Sequence, residues 1–163
     1  VNGAARALAA TALIGLSSPA LAEQSWNLRR TVPSDSDTVI GVGTRWNKAC
    51  QSVGVPEVIL EEAPLHGTVC QQRGMVRAKR LLAGGSSHCL QQPMPGVQIV
   101  YRSDAGFTGR DTLRYTLKFP RFNHLHRVEI DVRPLAAAPG GYAMPPSPRQ
   151  QPGPMPICAA LTS

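Results

Sequence analysis

The stretch Tyr101-Arg102-Ser103-Asp104-Ala105-Gly106-Phe107-Thr108-Gly109-Arg110-Asp111-Thr112-Leu113-Arg114-Tyr115 decides the fold. It reads as a strand, a tight corner and a second strand. Gly106 and Gly109 can take positive φ without a Cβ clash, so the chain can reverse there. Phe107 stands between them and is expected to plug the space under the corner. Truncating such a plug to alanine costs about 3–5 kcal/mol. Asp111 can accept hydrogen bonds from N–H groups that the turn leaves unpaired. Beyond it Leu113, Tyr115, Leu117 and Phe119 alternate with Thr112, Arg114, Thr116 and Lys118, the period of a half-buried strand.

The same alternation recurs outward from the corner. Val97, Ile99 and Tyr101 form the inner face of the strand leading in. Val128, Ile130 and Val132 alternate with Arg127, Glu129, Asp131 and Arg133 in a strand after it. Val58 and Leu60 mark a strand over Glu57–Glu62, and Thr68–Gln71 starts another after the Pro64–Gly67 turn, with Gly74 read as its end. Thr38–Trp46 reads as a first strand, interrupted by Gly41 and Gly43. Asn47–Val55 and Ala83–Pro95 read as loops, and Arg121–Leu125 as a hairpin connection. About seven short strands between residues 38 and 133, with no helical periodicity, predict an all-β fold, an antiparallel β-sandwich.

Both flanks read differently. Residues 1–22 carry one charge, Arg6, then the apolar run Ala7–Leu16 and the small-residue ending Ser17-Ser18-Pro19-Ala20-Leu21-Ala22. That pattern predicts a signal peptide cut after Ala22. The run is shorter than the about 20 residues a membrane-spanning helix needs. The mature protein is therefore expected in the periplasm or secreted, with no membrane span. Residues 23–37 are polar and read as a linker. Residues 134–163 hold eight of the fifteen prolines and read as a disordered tail.

The formal charge is +7, or +6 once Arg6 is subtracted. The densest basic cluster, Arg73, Arg77, Lys79 and Arg80, has no interleaved aromatic side chains on which bases could stack, so nucleic acid is not expected. Attraction to anionic envelope polymers fits the charge better.

Pro64-Leu65-His66-Gly67-Thr68-Val69, then Tyr101, then Gly106-Phe107-Thr108-Gly109-Arg110-Asp111 and Tyr115 resemble the bacterial cadherin-like, immunoglobulin-like domains of surface and secreted proteins. The likeness runs from about Pro56 to Arg133, under half of the chain. Ser103 stands where that family often has Pro, and Leu113 where it often has Phe. The resemblance implies an immunoglobulin-like sandwich in which Gly67, Tyr101, Gly106, Phe107, Gly109, Asp111 and Tyr115 are structural. Tyr115 would tie its strand to a loop through its hydroxyl, as in a tyrosine corner. Some relatives bind calcium through acidic clusters between repeats. Here only Ser34-Asp35-Ser36-Asp37 and Asp104 are candidates, against the about six to eight oxygens calcium takes, and no cofactor is expected.

No Ser-His-Asp order, phosphate loop or carboxylate pair stands out, so no enzyme is expected. His124 and His126 lie on one side of a strand, where two imidazoles can hold a metal. The plainer reading makes them exposed hairpin residues. His88 adjoins Cys89, but an exported cysteine is oxidised more readily than it acts as a nucleophile. The expected function is a non-enzymatic module that binds an envelope protein or acidic polysaccharide through loops or an open sheet edge. The competing class is a periplasmic metal-binding protein or enzyme that uses His124 and His126.

Cys50, Cys70, Cys89 and Cys158 are expected to be oxidised, and four cysteines allow three pairings. The strand after the corner, Asp111–Phe119, has no cysteine, which excludes the antibody type of inter-sheet bridge. Cys50 and Cys89 each lie in a loop that precedes a strand entering the core, so Cys50–Cys89 is the expected bond. Cys70 then pairs with Cys158 and folds the tail back across the sheet. In the alternative, Cys158 is free or joins two chains.

Overall fold

The computed structural model describes residues 23–81, 86–134 and 147–159. The expected signal peptide and most of the proline-rich tail lie outside the described residues. Eight strands run in chain order: β1 (Glu23–Pro33), β2 (Thr38–Thr44), β3 (Glu57–Glu62), β4 (Gly67–Arg77), β5 (Pro93–Ser103), β6 (Gly109–Phe119), β7 (Phe122–Arg133) and β8 (Gly153–Pro154). A three-residue 3₁₀ turn, Ser87–Cys89, precedes β5. Among the described residues there is no α-helix, and no helix long and apolar enough to cross a membrane.

The strands form two sheets in a sandwich-like arrangement. One has the order β1-β7-β6-β3-β8 and the other β2-β5-β4. The alternation read from the sequence is the cause. On β6, Leu113, Tyr115, Leu117 and Phe119 are all buried. They meet Val58 and Leu60 of β3, Val128, Ile130 and Val132 of β7, and Val97, Ile99 and Tyr101 of the facing sheet in one core. A second, smaller cluster lies around Trp46, Cys89 and Met94. Burying a side chain of this size stabilises by about 1.5–3 kcal/mol, which explains why the two-residue period dominates the fold.

Four expectations need correction. First, the linker at 23–37 is largely a strand. β1 pairs in parallel with β7 over its whole length, from Glu23 opposite Asn123 to Pro33 opposite Arg133. Trp26, Leu28 and Val32 share one parity, and Val32 is in the core. The sandwich is thus not purely antiparallel. Second, residues 147–159 of the tail are held on the body of the fold. Gly153 and Pro154 pair with Leu60 and Ile59 of β3, Met155 is buried, and Ile157 bridges to Gln71 of β4. An extended, proline-rich segment has few N–H groups to satisfy. Side chains make up the ladder: the Gln150 amide donates to the Val69 carbonyl and accepts from its N–H, both at 2.8 Å. The segment therefore reaches from the β3 edge of one sheet to the β4 edge of the other.

Third, Gly74 does not end β4, which continues in register to Arg77 opposite Pro93. Fourth, the β6–β7 connection is only Pro120 and Arg121, so His124 and His126 are strand residues. The cysteines pair as Cys50–Cys89 and Cys70–Cys158, leaving no free thiol. Two disulfides suit an oxidising compartment outside the cytoplasm.

Candidate functional site

The corner is a structural knot around Asp111. Gly106 and Gly109 have φ of 71° and 129°, and the Phe107 N–H donates to the Asp104 carbonyl at 3.0 Å to close the turn. Asp111 is buried, but it does not cap this turn. Its Oδ1 accepts from the N–H groups of Leu65 and Thr112 at 3.0 and 2.9 Å, and its Oδ2 accepts from the His66 N–H at 3.0 Å. The Tyr101 hydroxyl donates to the same Oδ2 at 2.9 Å and lies 3.2 Å from the His66 carbonyl. Burial first, and then the Asp111 carboxylate, hold the Tyr101 phenol well above its usual range, so it remains a donor. Gly67 admits this packing, because a Cβ there would collide with the Arg102 carbonyl and stand 2.8 Å from the Tyr101 ring.

The hydroxyl that ties a strand to a loop is thus that of Tyr101. The Tyr115 ring is buried and stacked on His126, with its hydroxyl over Gly41, where a Cβ would clash. Phe107 is only half-buried. It stacks on the His66 ring at 4.2 Å and packs against the edge of the core. Phe107→Ala is accordingly expected to lose about 1–2 kcal/mol, below the cost of a full core plug. Urea denaturation of the variant measures it.

The acidic candidates for calcium act on the backbone and on a cation instead. Asp35 accepts from the Gly106 N–H at 3.1 Å, Asp37 pairs with Arg102 at 2.8 Å, and Asp104 accepts from the Ser147 N–H at 3.0 Å. Among the described residues, one group of three ligand-type side chains lies close together: Cys50, His88 and Cys89. Its two sulfurs are bonded to each other, which leaves the His88 imidazole as its one ordinary ligand.

His124 and His126 are not exposed hairpin residues. They lie opposite Leu117 and Tyr115 on the inner side of β7, and both are buried. Trp26 and Phe119 meet His124 edge-on, and Phe122 stacks on it. Nε2 of His124, both ring nitrogens of His126 and Nε1 of Trp26 are buried without a hydrogen-bond partner among the described residues. Guanidinium groups flank the cluster. Arg30 donates to the Ile40 carbonyl at 2.7 Å, and Arg45 lies 4.1 Å over the Phe122 ring.

Desolvation, then His124, then Arg30 push the His126 pKa down to about 4. Desolvation and Arg45 lower that of His124. Unfolded histidine binds protons near pH 6.5. Between about 4 and 6.5 the folded chain therefore carries fewer protons than the unfolded one. The His126 contribution to stability is full above about pH 6.5 and is lost as pH falls toward 4, by roughly 3 kcal/mol. Denaturation midpoints measured across this range should show the loss, and His126→Phe should flatten it.

Charge is the remaining feature with chemical meaning. From Ala63 to Ser103 there is no Asp or Glu, and the span carries Arg73, Arg77, Lys79, Arg80 and Arg102. This span contains β4 and β5, while β2 has no charged residue at all. The carboxylates of the strand regions lie on the other sheet, where Arg29 meets Glu129 at 3.0 Å and Arg114 meets Glu62 at 2.8 Å. Arg133 likewise pairs with Asp131. What sets the three-stranded sheet apart is the lack of carboxylates in its strands: Arg73 and Arg77 of β4, with Lys79 and Arg80 just beyond it, face none there, while Arg102 of β5 pairs with Asp37. Arg73, Arg77, Lys79 and Arg80 are all exposed.

Comparison with family models, with curated proteins and with solved structures found no match.

Proposed function

We propose that this chain is an immunoglobulin-like, cadherin-like module, exported to the periplasm or beyond, that binds an acidic envelope partner without catalysing a reaction. Strand order supports the fold reading. Lettered A to G in chain order, the first seven strands divide into B-E-D and C-F-G, as in constant-type immunoglobulin sheets. The first strand departs from that plan by joining the last, β7. The two disulfides support export.

The observation that carries the binding reading is the segregated charge: the strands of the three-stranded sheet carry Arg73, Arg77 and Arg102 and no carboxylate, and Lys79 and Arg80 follow β4 directly. Such a surface concentrates anionic ligands, and its field weakens over a Debye length of about 10 Å at 0.1 M salt. The test uses labelled poly-glutamate and polygalacturonate, with dextran as the uncharged control. Both polyanions should bind the purified protein and dextran should not, with affinity falling steeply between about 50 and 300 mM salt. Equal affinity for dextran, or none for either polyanion at low salt, contradicts the reading.

The unpartnered nitrogens of His124 and His126 favour a second reading, a metal site. Arg30 and Arg45 oppose it, because each adds positive charge beside a cation. Stoichiometric zinc or copper in the purified protein, lost in His126→Ala, would support the metal reading over the first.

A further inference from the structure

Among the described residues, the edge of β4 beyond Gln71 has no neighbouring strand. The tail already shows how the edge pairs: the Gln71 N–H donates to the Pro156 carbonyl at 2.8 Å, and its carbonyl accepts from the Cys158 N–H at 2.9 Å. The Gln150 amide does the same for Val69. Val69 and Gln71 thus turn their backbone groups away from β5. In an antiparallel pair this direction alternates along the strand, so Arg73, Met75 and Arg77 also face outward. The residues opposite agree. Met75 and Arg77 lie across from Pro95 and Pro93, which have no N–H to give, and the Pro95 carbonyl is taken on the far side by the Thr44 hydroxyl at 2.8 Å. Among the described residues no strand covers this side from Gln72 to Arg77.

Side chains state what should lie there. Arg73, Met75 and Arg77 share one parity, and Met75 is 62% exposed. Arg77 gives one donor to the Gln91 carbonyl, and a guanidinium has others. Gly74, where a Cβ would meet nothing within 4 Å, opens a groove of about 220 Å³ lined by Gln72, Arg73, Met75, Val76 and Gln98. A second copy of this chain is a poor occupant, because its own β4 would bring the same arginines against these.

Building on the acidic-partner reading, we infer that β4 binds an extended segment of a partner protein by strand addition, in the pattern acidic, any, apolar, any, acidic. The two acids meet Arg73 and Arg77, and the apolar residue meets Met75. The pattern is symmetric, so it fits either strand direction. Backbone hydrogen bonds supply affinity and alternate side chains supply specificity.

The test is fluorescence anisotropy with a synthetic Thr-Glu-Thr-Val-Thr-Glu-Thr peptide, a copy N-methylated at alternate residues, and polygalacturonate. Met75→Pro removes one outward N–H and no bond to β5, a placement that edge strands tolerate. The inference expects the peptide to bind, and binding to fall at least about tenfold, roughly 1.4 kcal/mol, with either Met75→Pro or the N-methylated copy. It also expects the amide protons of Arg73, Met75 and Arg77 to gain exchange protection when the unmodified peptide binds. If Met75→Pro fails to fold, the N-methylated copy and amide exchange still decide. Undiminished binding of the N-methylated copy overturns strand addition. If Arg73→Glu with Arg77→Glu still abolishes polygalacturonate binding, the acidic-partner reading survives that result. Polygalacturonate binding unaffected by the charge reversal would remove both.

Discussion

Replacing Cys70 and Cys158 together by serine is expected to lower the unfolding free energy by about 4–5 kcal/mol by the chain-entropy estimate. The bridge closes a sequence separation of 88 residues, against 39 for Cys50–Cys89. The same estimate gives about 4 kcal/mol for the shorter loop. Structure adds to entropy in the first case. Cys158 anchors a segment whose Met155 fills the core and whose Gly153 and Pro154 extend β3. Releasing it also uncovers the Val69 and Gln71 ladder positions. Guanidinium denaturation of the two double-serine variants measures both effects. A loss below about 1 kcal/mol for Cys70 with Cys158 would mean that the tail is held by its packing alone.

Asp111→Ala is expected to cost about 3–5 kcal/mol. The carboxylate meets the N–H groups of Leu65 and His66 and the Tyr101 hydroxyl inside the corner. Each buried donor left unmet costs about 1–3 kcal/mol, and bonds to a charged acceptor are the stronger kind. Asp111→Asn keeps one acceptor oxygen but sets an NH₂ against an N–H donor, so about half of the loss should remain. Urea denaturation at neutral pH reads both variants. A cost under about 1 kcal/mol for Asp111→Ala would mean that water replaces the carboxylate without penalty.

Legibility in the sequence followed the physics of each segment. Where one face is buried and the other wet, as over Leu113–Phe119, two-residue alternation reports the strand directly. The corner glycines were equally legible, because positive φ leaves few alternatives. β1 carries the same signal in Trp26, Leu28 and Val32, but Arg30 stands on that face and Pro33 ends it, so the segment reads as polar. The tail was obscured because proline richness reports extension, not freedom. Its attachment depends on Gln150, Gln71 and Cys158 meeting partners about 80 residues or more away. At the candidate site, the absence of acids from Ala63 to Ser103 could be read from the sequence alone. That Arg73, Arg77 and Arg102 share a sheet without carboxylates could not, because it depends on strand order. The burial of His124 and His126 was legible in principle, since they continue the parity of Val128, Ile130 and Val132.

Charge reversal on one sheet against the other separates a defined binding surface from attraction by total charge. Arg73→Glu with Arg77→Glu alters β4, and Arg110→Glu with Arg127→Glu makes the same change in net charge on the five-stranded sheet. Affinity for poly-glutamate is measured for both at low salt. A loss of about tenfold or more is expected for the β4 pair, with the other within about twofold of the parent protein. Equal losses in the two variants would show that only total charge attracts the ligand, and would contradict a binding surface on the three-stranded sheet.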